Sequence, residues 1–142
     1  MKILYGVQGT GNGHISRARA MAPELAEQGL DVDYLFSGRP AERYFDMEPF
    51  GNFQLRHGMS FVVKNGRIDR INTLKDANPG RFIKEVRDLD LSGYDLVLTD
   101  FEPVTAWAAK LAGKRCIGIS RQYAFCYNIP KVPSGIGQLV FS

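Results

Sequence analysis

Ile3-Leu4-Tyr5-Gly6-Val7-Gln8-Gly9-Thr10-Gly11-Asn12-Gly13-His14-Ile15-Ser16-Arg17 is the stretch that decides the fold. The apolar run Ile3 to Val7 ends at a cluster of glycines. It reads as a buried strand followed by a turn in which several residues can take a positive φ. From His14 to Gln28 the apolar residues Ile15, Ala18, Ala22, Leu25 and Ala26 recur at helical spacing, and Gly29 stops the helix. Pro23 inside that pattern predicts a kink or a break. Val32 to Phe36 reads as a second strand, followed by Ser37-Gly38-Arg39-Pro40 and a short helix near residues 40–47. Strand, helix, strand, helix in this order is the pattern of a parallel sheet with crossover helices. The chain therefore reads as α/β, Rossmann-like and doubly wound.

Further along, Phe53-Gln54-Leu55-Arg56 is a candidate third strand. Ser60–Val63 and Arg67–Ile71 flank Lys64-Asn65-Gly66, and Asn-Gly between two β-prone runs predicts a β-hairpin insertion. Phe50, Phe53 and Phe61 near it have two readings, a lid or membrane-facing patch and ordinary core packing. A helix is expected near residues 80–90, with Phe82, Val86 and Leu89 on one face. Asp95 to Thr99 is a strand that ends at Asp100. The helix after it carries Pro103 in its first turn, where proline is favoured. Its expected buried stripe is Val104, Trp107, Ala108, Leu111 and Ala112, with Trp107 read as packing. Cys116 to Ile119 reads as another buried strand. Beyond Asn128, Pro130, Pro133, Gly135 and Gly137 break any regular element.

Composition bounds the function. The chain has 142 residues and 44% hydrophobic residues, enough for one domain with its own core. Its 18 Lys and Arg against 15 Asp and Glu leave a net charge of +3, spread along the chain. That argues against nucleic acid as a partner and suits small anionic ligands or a weak membrane-surface attraction. Cys116 and Cys126 are isolated thiols without metal-ligand spacing, so a cytoplasmic setting and no metal are expected. No apolar run approaches the ~18 residues of a membrane span.

The chemistry centres on the glycine turn. In an open parallel sheet, ligands bind at the carboxyl ends of the strands, where loops enter helix N-termini. Glycines there let a ligand approach the backbone, and the free N–H groups favour an oxyanion. A P-loop requires Gly-Lys-Ser/Thr, and this chain has Gly13-His14-Ile15. The dinucleotide fingerprint Gly-x-Gly-x-x-Gly fails from Gly9 and from Gly11, because the third position falls on His14 or Ser16. The loop offers instead a histidine in the first helical turn. Histidine, with an ordinary pKa of ~6.5, suits proton removal near neutrality. A base histidine needs a carboxylate on its far nitrogen, and Asp100, at the end of a strand on the same sheet edge, is the candidate. Asp100 reads equally well as the cap of the next helix. Glu102 either faces the site or complements the helix dipole.

Gly9-Thr10-Gly11-Asn12-Gly13-His14-Ile15-Ser16-Arg17 resembles the Gly-Gly-His-x-x-Arg-type loop that opens GT-B glycosyltransferases. These include family 28, with the cell-wall N-acetylglucosaminyltransferase, and the glucuronosyltransferase-like enzymes. Tyr94 to Pro103, followed by a small-residue helix and Gly113 to Ser120, is similar to the aspartate-loop–helix–Gly-strand block of those families. The resemblance implies an N-terminal, acceptor-side Rossmann-like domain, one half of a GT-B architecture, with His14 as acceptor-activating base and Asp100 as its orienting partner. It implies ligand contacts at Gly9, Thr10, Gly11, Asn12, Gly13, Arg17 and Glu102, and, less closely matched, at Arg121 and Gln122 in a polar loop on the interdomain cleft. Asn12 stands where family 28 members often carry a second glycine pair. The expected domain spans residues 1–128, and 129–142 form an extended tail leading toward a nucleotide-sugar domain that this chain lacks. The implied activity is inverting transfer of a sugar from a nucleotide-sugar donor to an acceptor hydroxyl, with no cofactor, and little turnover without the second domain. The chain would be cytoplasmic, with possible contact to the inner membrane face. Two other readings stand beside it. One is a Rossmann-type module for a nucleotide such as NADP, with Arg39 at the 2′-phosphate. The other is the separate acceptor half of a bipartite transferase.

Overall fold

The computed structural model describes residues 1–59, 63–64, 67–68 and 78–119. Its centre is a five-stranded, wholly parallel sheet built from β1 (Lys2–Gln8), β2 (Asp31–Ser37), β3 (Phe53–Arg56), β6 (Leu96–Asp100) and β7 (Cys116–Gly118). The strands lie in the order β3-β2-β1-β6-β7. A separate antiparallel pair, β4 (Val63–Lys64) and β5 (Arg67–Ile68), lies within the expected hairpin. Its turn residues Asn65 and Gly66 lie outside the described residues, as do Phe61, Arg121, Gln122, Cys126 and the tail 129–142.

Helices cover both faces, as a doubly wound sheet requires. Alternate residues of β1 separate two cores. Ile3, Tyr5 and Val7 pack with Tyr34 and Phe36 against Ile15, Ala18 and Ala22 of α1 (Asn12–Glu27). Leu4, Leu35 and Val97 face Val86 of α2 (Pro79–Arg87) and Val104, Ala108 and Ala109 of α3 (Pro103–Leu111). Burial on both faces explains why the strands read as near-continuous apolar runs. Gly6 is required by this packing, since a Cβ there would collide with the Thr105 side chain.

Several expectations need correction. Helix α1 runs unbroken through Pro23. The proline ring faces solvent, and the flanking turns are held to the sheet by Ala18 and Ala22, so the lost backbone bond is absorbed. The short helix near residues 40–47 is two 3-10 turns, Ala41–Arg43 and Glu48–Phe50. Phe50 is buried and Phe53 packs edge-on against Phe36 at 5.6 Å, so these two belong to the core. The buried stripe of α3 is Val104, Thr105, Ala108 and Ala109, while Trp107 is 50% and Leu111 66% exposed. Small residues at that spacing let α3 lie close over Gly6, and an indole would not fit between them. Strand β7 is exposed instead of buried.

This topology places the site. From β1 the chain winds outward through β2 and β3, then returns to β6 on the other side of β1. The switch point therefore lies between the carboxyl ends of β1 and β6, where Val7 pairs with Asp100.

Candidate active site

Helix α1 starts at Asn12 with Gly11 as its cap, no capping side chain and no acidic residue in its first turn. Its first N–H groups and positive dipole end are left for an anionic partner. Gly11 and Gly13 have open space where a side chain would project. Gly9 does not, because its N–H donates to the Ser37 carbonyl at 2.6 Å and a Cβ would collide with the Tyr44 hydroxyl. Thr10 and Asn12, expected at the ligand, also hold the loop. The Thr10 hydroxyl accepts from Gln8 Nε2 at 2.8 Å, and the Asn12 amide oxygen accepts from Arg39 at 2.9 Å. Arg39 also donates to the Arg43 carbonyl and lies over the Tyr44 ring, so the side chain read as a 2′-phosphate partner anchors this loop.

His14 and Asp100 meet across the switch point. His14 Nδ1 lies 2.7 Å from Asp100 Oδ1, on an aspartate with no exposed side-chain surface. A carboxylate only accepts hydrogen bonds, so the neutral imidazole carries its proton on Nδ1 and donates it to Asp100. Nε2 keeps its lone pair, and the ring is 16% exposed. Arg17 completes the group: its Nη1 donates to both Asp100 oxygens at 2.7 Å and to the Ile119 carbonyl at 3.1 Å. A buried carboxylate requires such a paired charge. Arg17, expected as a ligand contact, stands three residues after His14 on α1, which puts both on one face toward Asp100.

The capping question resolves in favour of Glu102. This fully buried residue caps α3, accepting from Val104 N–H at 2.9 Å and Thr105 N–H at 2.7 Å. Its carboxylate also accepts from the hydroxyls of Thr105 at 2.7 Å and Ser37 at 2.6 Å. Burial raises its pKa, and the hydrogen bonds from Ser37, Thr105 and Val104 pull it back down. Asp100 is thereby free of capping. Between the two acids Phe101 sits at φ 58°, a left-handed conformation that a bulky residue rarely adopts. The reversal turns Asp100 toward α1 and Glu102 into the interior, and it lays the Phe101 ring parallel to His14 with centroids 6.0 Å apart. No composition or spacing signal marks Phe101.

Two clefts border this edge. One, of about 240 Å³, is lined by Gln8, Met59, Phe101, Pro103, Ala106 and Trp107, with Glu102 at its base. The other, of about 430 Å³, lies at the ends of β2 and β3 between Arg39, Arg56, His57 and Glu85. Glu85 there accepts from the backbone N–H groups of His57 and Gly58. Among the described residues, no cluster of His, Cys, Asp and Glu has the makings of a metal site, and no helix is long and apolar enough to cross a membrane.

Several solved structures are similar to the chain, three of them as follows. MurG of Acinetobacter baumannii is 20% identical, with a TM-score of 0.49 over 84% of this chain and 34% of that one. CalG4, the calicheamicin glycosyltransferase, is 17% identical, with a TM-score of 0.52 over 84% of this chain and 32% of that one. The C-terminal domain of the PF1911 hydrogenase from Pyrococcus furiosus is 15% identical, with a TM-score of 0.50 over 83% of this chain and 90% of that one. This chain thus spans about a third of the length of MurG and of CalG4. Likeness to a hydrogenase domain at the same level means that the sheet alone does not select a chemistry. No curated protein matches the sequence. The model of glycosyl transferase family 1 matches residues 1–134, from β1 through both halves of the His14–Asp100 pair. The expected kinship with N-terminal GT-B domains is thereby borne out, and the chain belongs to glycosyl transferase family 1.

Proposed function

We propose that this chain is the acceptor-side domain of an inverting glycosyltransferase, with His14 as its base. The observation that carries the proposal is the hydrogen bond from His14 Nδ1 to buried Asp100, which leaves Nε2 as a proton acceptor at the ligand-binding edge of the sheet. The acceptor oxygen attacks the anomeric carbon of a nucleotide sugar on the face opposite the diphosphate. The new C–O bond forms as the bond to the diphosphate oxygen breaks, and that oxygen leaves with the electron pair. The hydroxyl proton passes to Nε2, and Asp100 stabilises the imidazolium. A positioned base contributes ~10²–10⁴-fold. Arg17 acts on the reaction through Asp100, so we read it as a positioning residue.

The N-terminus of α1 and the open space at Gly11 and Gly13 suit the departing diphosphate, whose charge the helix dipole favours. The nucleotide itself is bound by a second domain, so residues 1–142 alone turn over little. The test is His14→Ala in the two-domain protein, with nucleoside diphosphate release as the readout. Loss of ~10²-fold or more in kcat, with nucleotide-sugar binding unchanged, supports the base assignment. Near-normal transfer overturns it.

A further inference from the structure

The cleft beside the base has a chemistry of its own. Trp107 and Phe101 are 50% and 37% exposed, yet both line this one cleft and neither fills the core of α3. Pro103, Ala106 and Met59 complete apolar walls. The polar groups beneath them are already engaged. Gln8 Nε2 donates to the Thr10 hydroxyl and to the Met59 carbonyl at 2.9 Å, and the Glu102 carboxylate holds four donors. A sugar or phosphate would find little to bond there. Phe101 is shared, since its ring also lies parallel to His14 at 6.0 Å. His14 itself does not line the cleft, so the cleft faces a part of the acceptor that does not react.

Resting on the acceptor-side reading above, we propose that this cleft anchors a planar aromatic group of the acceptor, held between Phe101 and Trp107, while the acceptor hydroxyl reaches His14. The volume agrees. A dry apolar cavity of ~150 Å³ holds benzene, so about 240 Å³ suits a two-ring system. The walls agree as well, because aromatic faces attract rings beyond the area they bury. Lys110 lies 5.0 Å from the Trp107 ring centre and helps to hold the indole outward. The backbone strain at Phe101 fits a ligand-clamping residue, since left-handed bulky residues persist where function requires them. Binding energy from such a non-reacting group serves to position the hydroxyl.

Trp107 is the only tryptophan of the chain, so its single indole N–H resonance reports on the cleft. The 142-residue chain is titrated with 2-naphthol, with its saturated counterpart decahydro-2-naphthol, and with farnesol as a lipid-chain alcohol. The expected result is a saturable shift of the indole resonance with 2-naphthol, at least about tenfold tighter than with either aliphatic alcohol. Ala106→Leu, a good helix former that fills the cleft, abolishes the shift. Trp107→Leu, followed by calorimetry, weakens 2-naphthol about tenfold while leaving the aliphatic alcohols unchanged. Equal or tighter binding of an aliphatic alcohol overturns the aromatic assignment. So does an indole resonance that none of the three moves. This readout needs no turnover. Binding of 2-naphthol together with transfer indifferent to His14 sinks the base and spares the cleft, and the opposite pattern does the reverse.

Discussion

Asp100→Asn is the substitution that separates the proposed chemistry from mere packing. Asp100 has no exposed side-chain surface, and its two oxygens receive three contacts of 2.7 Å, one from His14 Nδ1 and two from Arg17 Nη1. An asparagine has one oxygen. If that oxygen takes the Oδ1 place, it keeps His14, and the new NH₂ group faces Arg17, donor against donor. If it takes the Oδ2 place, the NH₂ group faces both Arg17 and His14. His14 Nδ1 must then accept, the imidazole proton moves to Nε2, and the base is lost. Breaking a buried charge pair costs about 3–5 kcal/mol. Arg17 is 30% exposed and partly rehydrated, so the lower end applies. Loss of the base costs ~10²–10⁴-fold in transfer, or roughly 2.7–5.4 kcal/mol of barrier. Urea unfolding of the chain measures the first quantity, and kcat of the two-domain protein on folded enzyme measures the second. Asp100→Ala offers His14 Nδ1 no acceptor in either arrangement, and full transfer by that variant when stably folded, within threefold of wild type, would refute the orienting role of Asp100.

Two further predictions concern the fold beneath the site. Glu102→Gln sets an NH₂ group against the N–H or hydroxyl donors of Val104, Thr105 and Ser37. It destabilises the chain by about 1–3 kcal/mol in urea unfolding, whereas a change below half that figure would deny the buried cap its structural weight. Burial pushes the phenols of Tyr44 and Tyr94 up to about 12, with Asp33 hydrogen-bonded to Tyr94 adding to the second, while unfolded tyrosine ionises near ~10. A raised folded pKa means stability that is full below ~pH 10 and lost as the pH climbs toward 12. The urea midpoint therefore falls across that window, and Tyr44→Phe flattens the fall. A midpoint independent of pH there would contradict the burial of these hydroxyls.

Local pattern carried much of this architecture. The strand Ile3–Val7, the glycine turn and the helical repeat of Ile15, Ala18 and Ala22 encode a βα unit by period and turn chemistry, which act between near neighbours. The same holds for Leu96–Leu98 ending at Asp100, and for Pro103 opening a helix. His14 was legible because a histidine in a glycine turn at a strand end has few structural reasons to be there. The errors lie where a second element decides. Trp107 fits an apolar helical stripe, but α3 packs on the sheet through Val104, Thr105, Ala108 and Ala109, with Thr105 against Gly6, and the indole is turned outward. Pro23 breaks a helix in isolation and not one held to a sheet by its neighbours.

By itself, then, the sequence determined the parallel sheet, the glycine turn at its switch point and two residues able to act as base and partner. Periodicity, glycine and side-chain chemistry are properties of the local chain, and they survive without knowledge of the rest. Only the tertiary structure decided the roles of the acids and cations around them. Asp100 and Glu102 are acids two residues apart at the start of one helix, and each had a reading at the site and one at the helix. The left-handed turn at Phe101 sends one to His14 and the other into α3. Arg17 became part of the same group because β6 lies next to β1, which brings residues 83 positions apart into a contact of 2.7 Å. Such contacts depend on strand order, and strand order is set by the packing of the whole sheet.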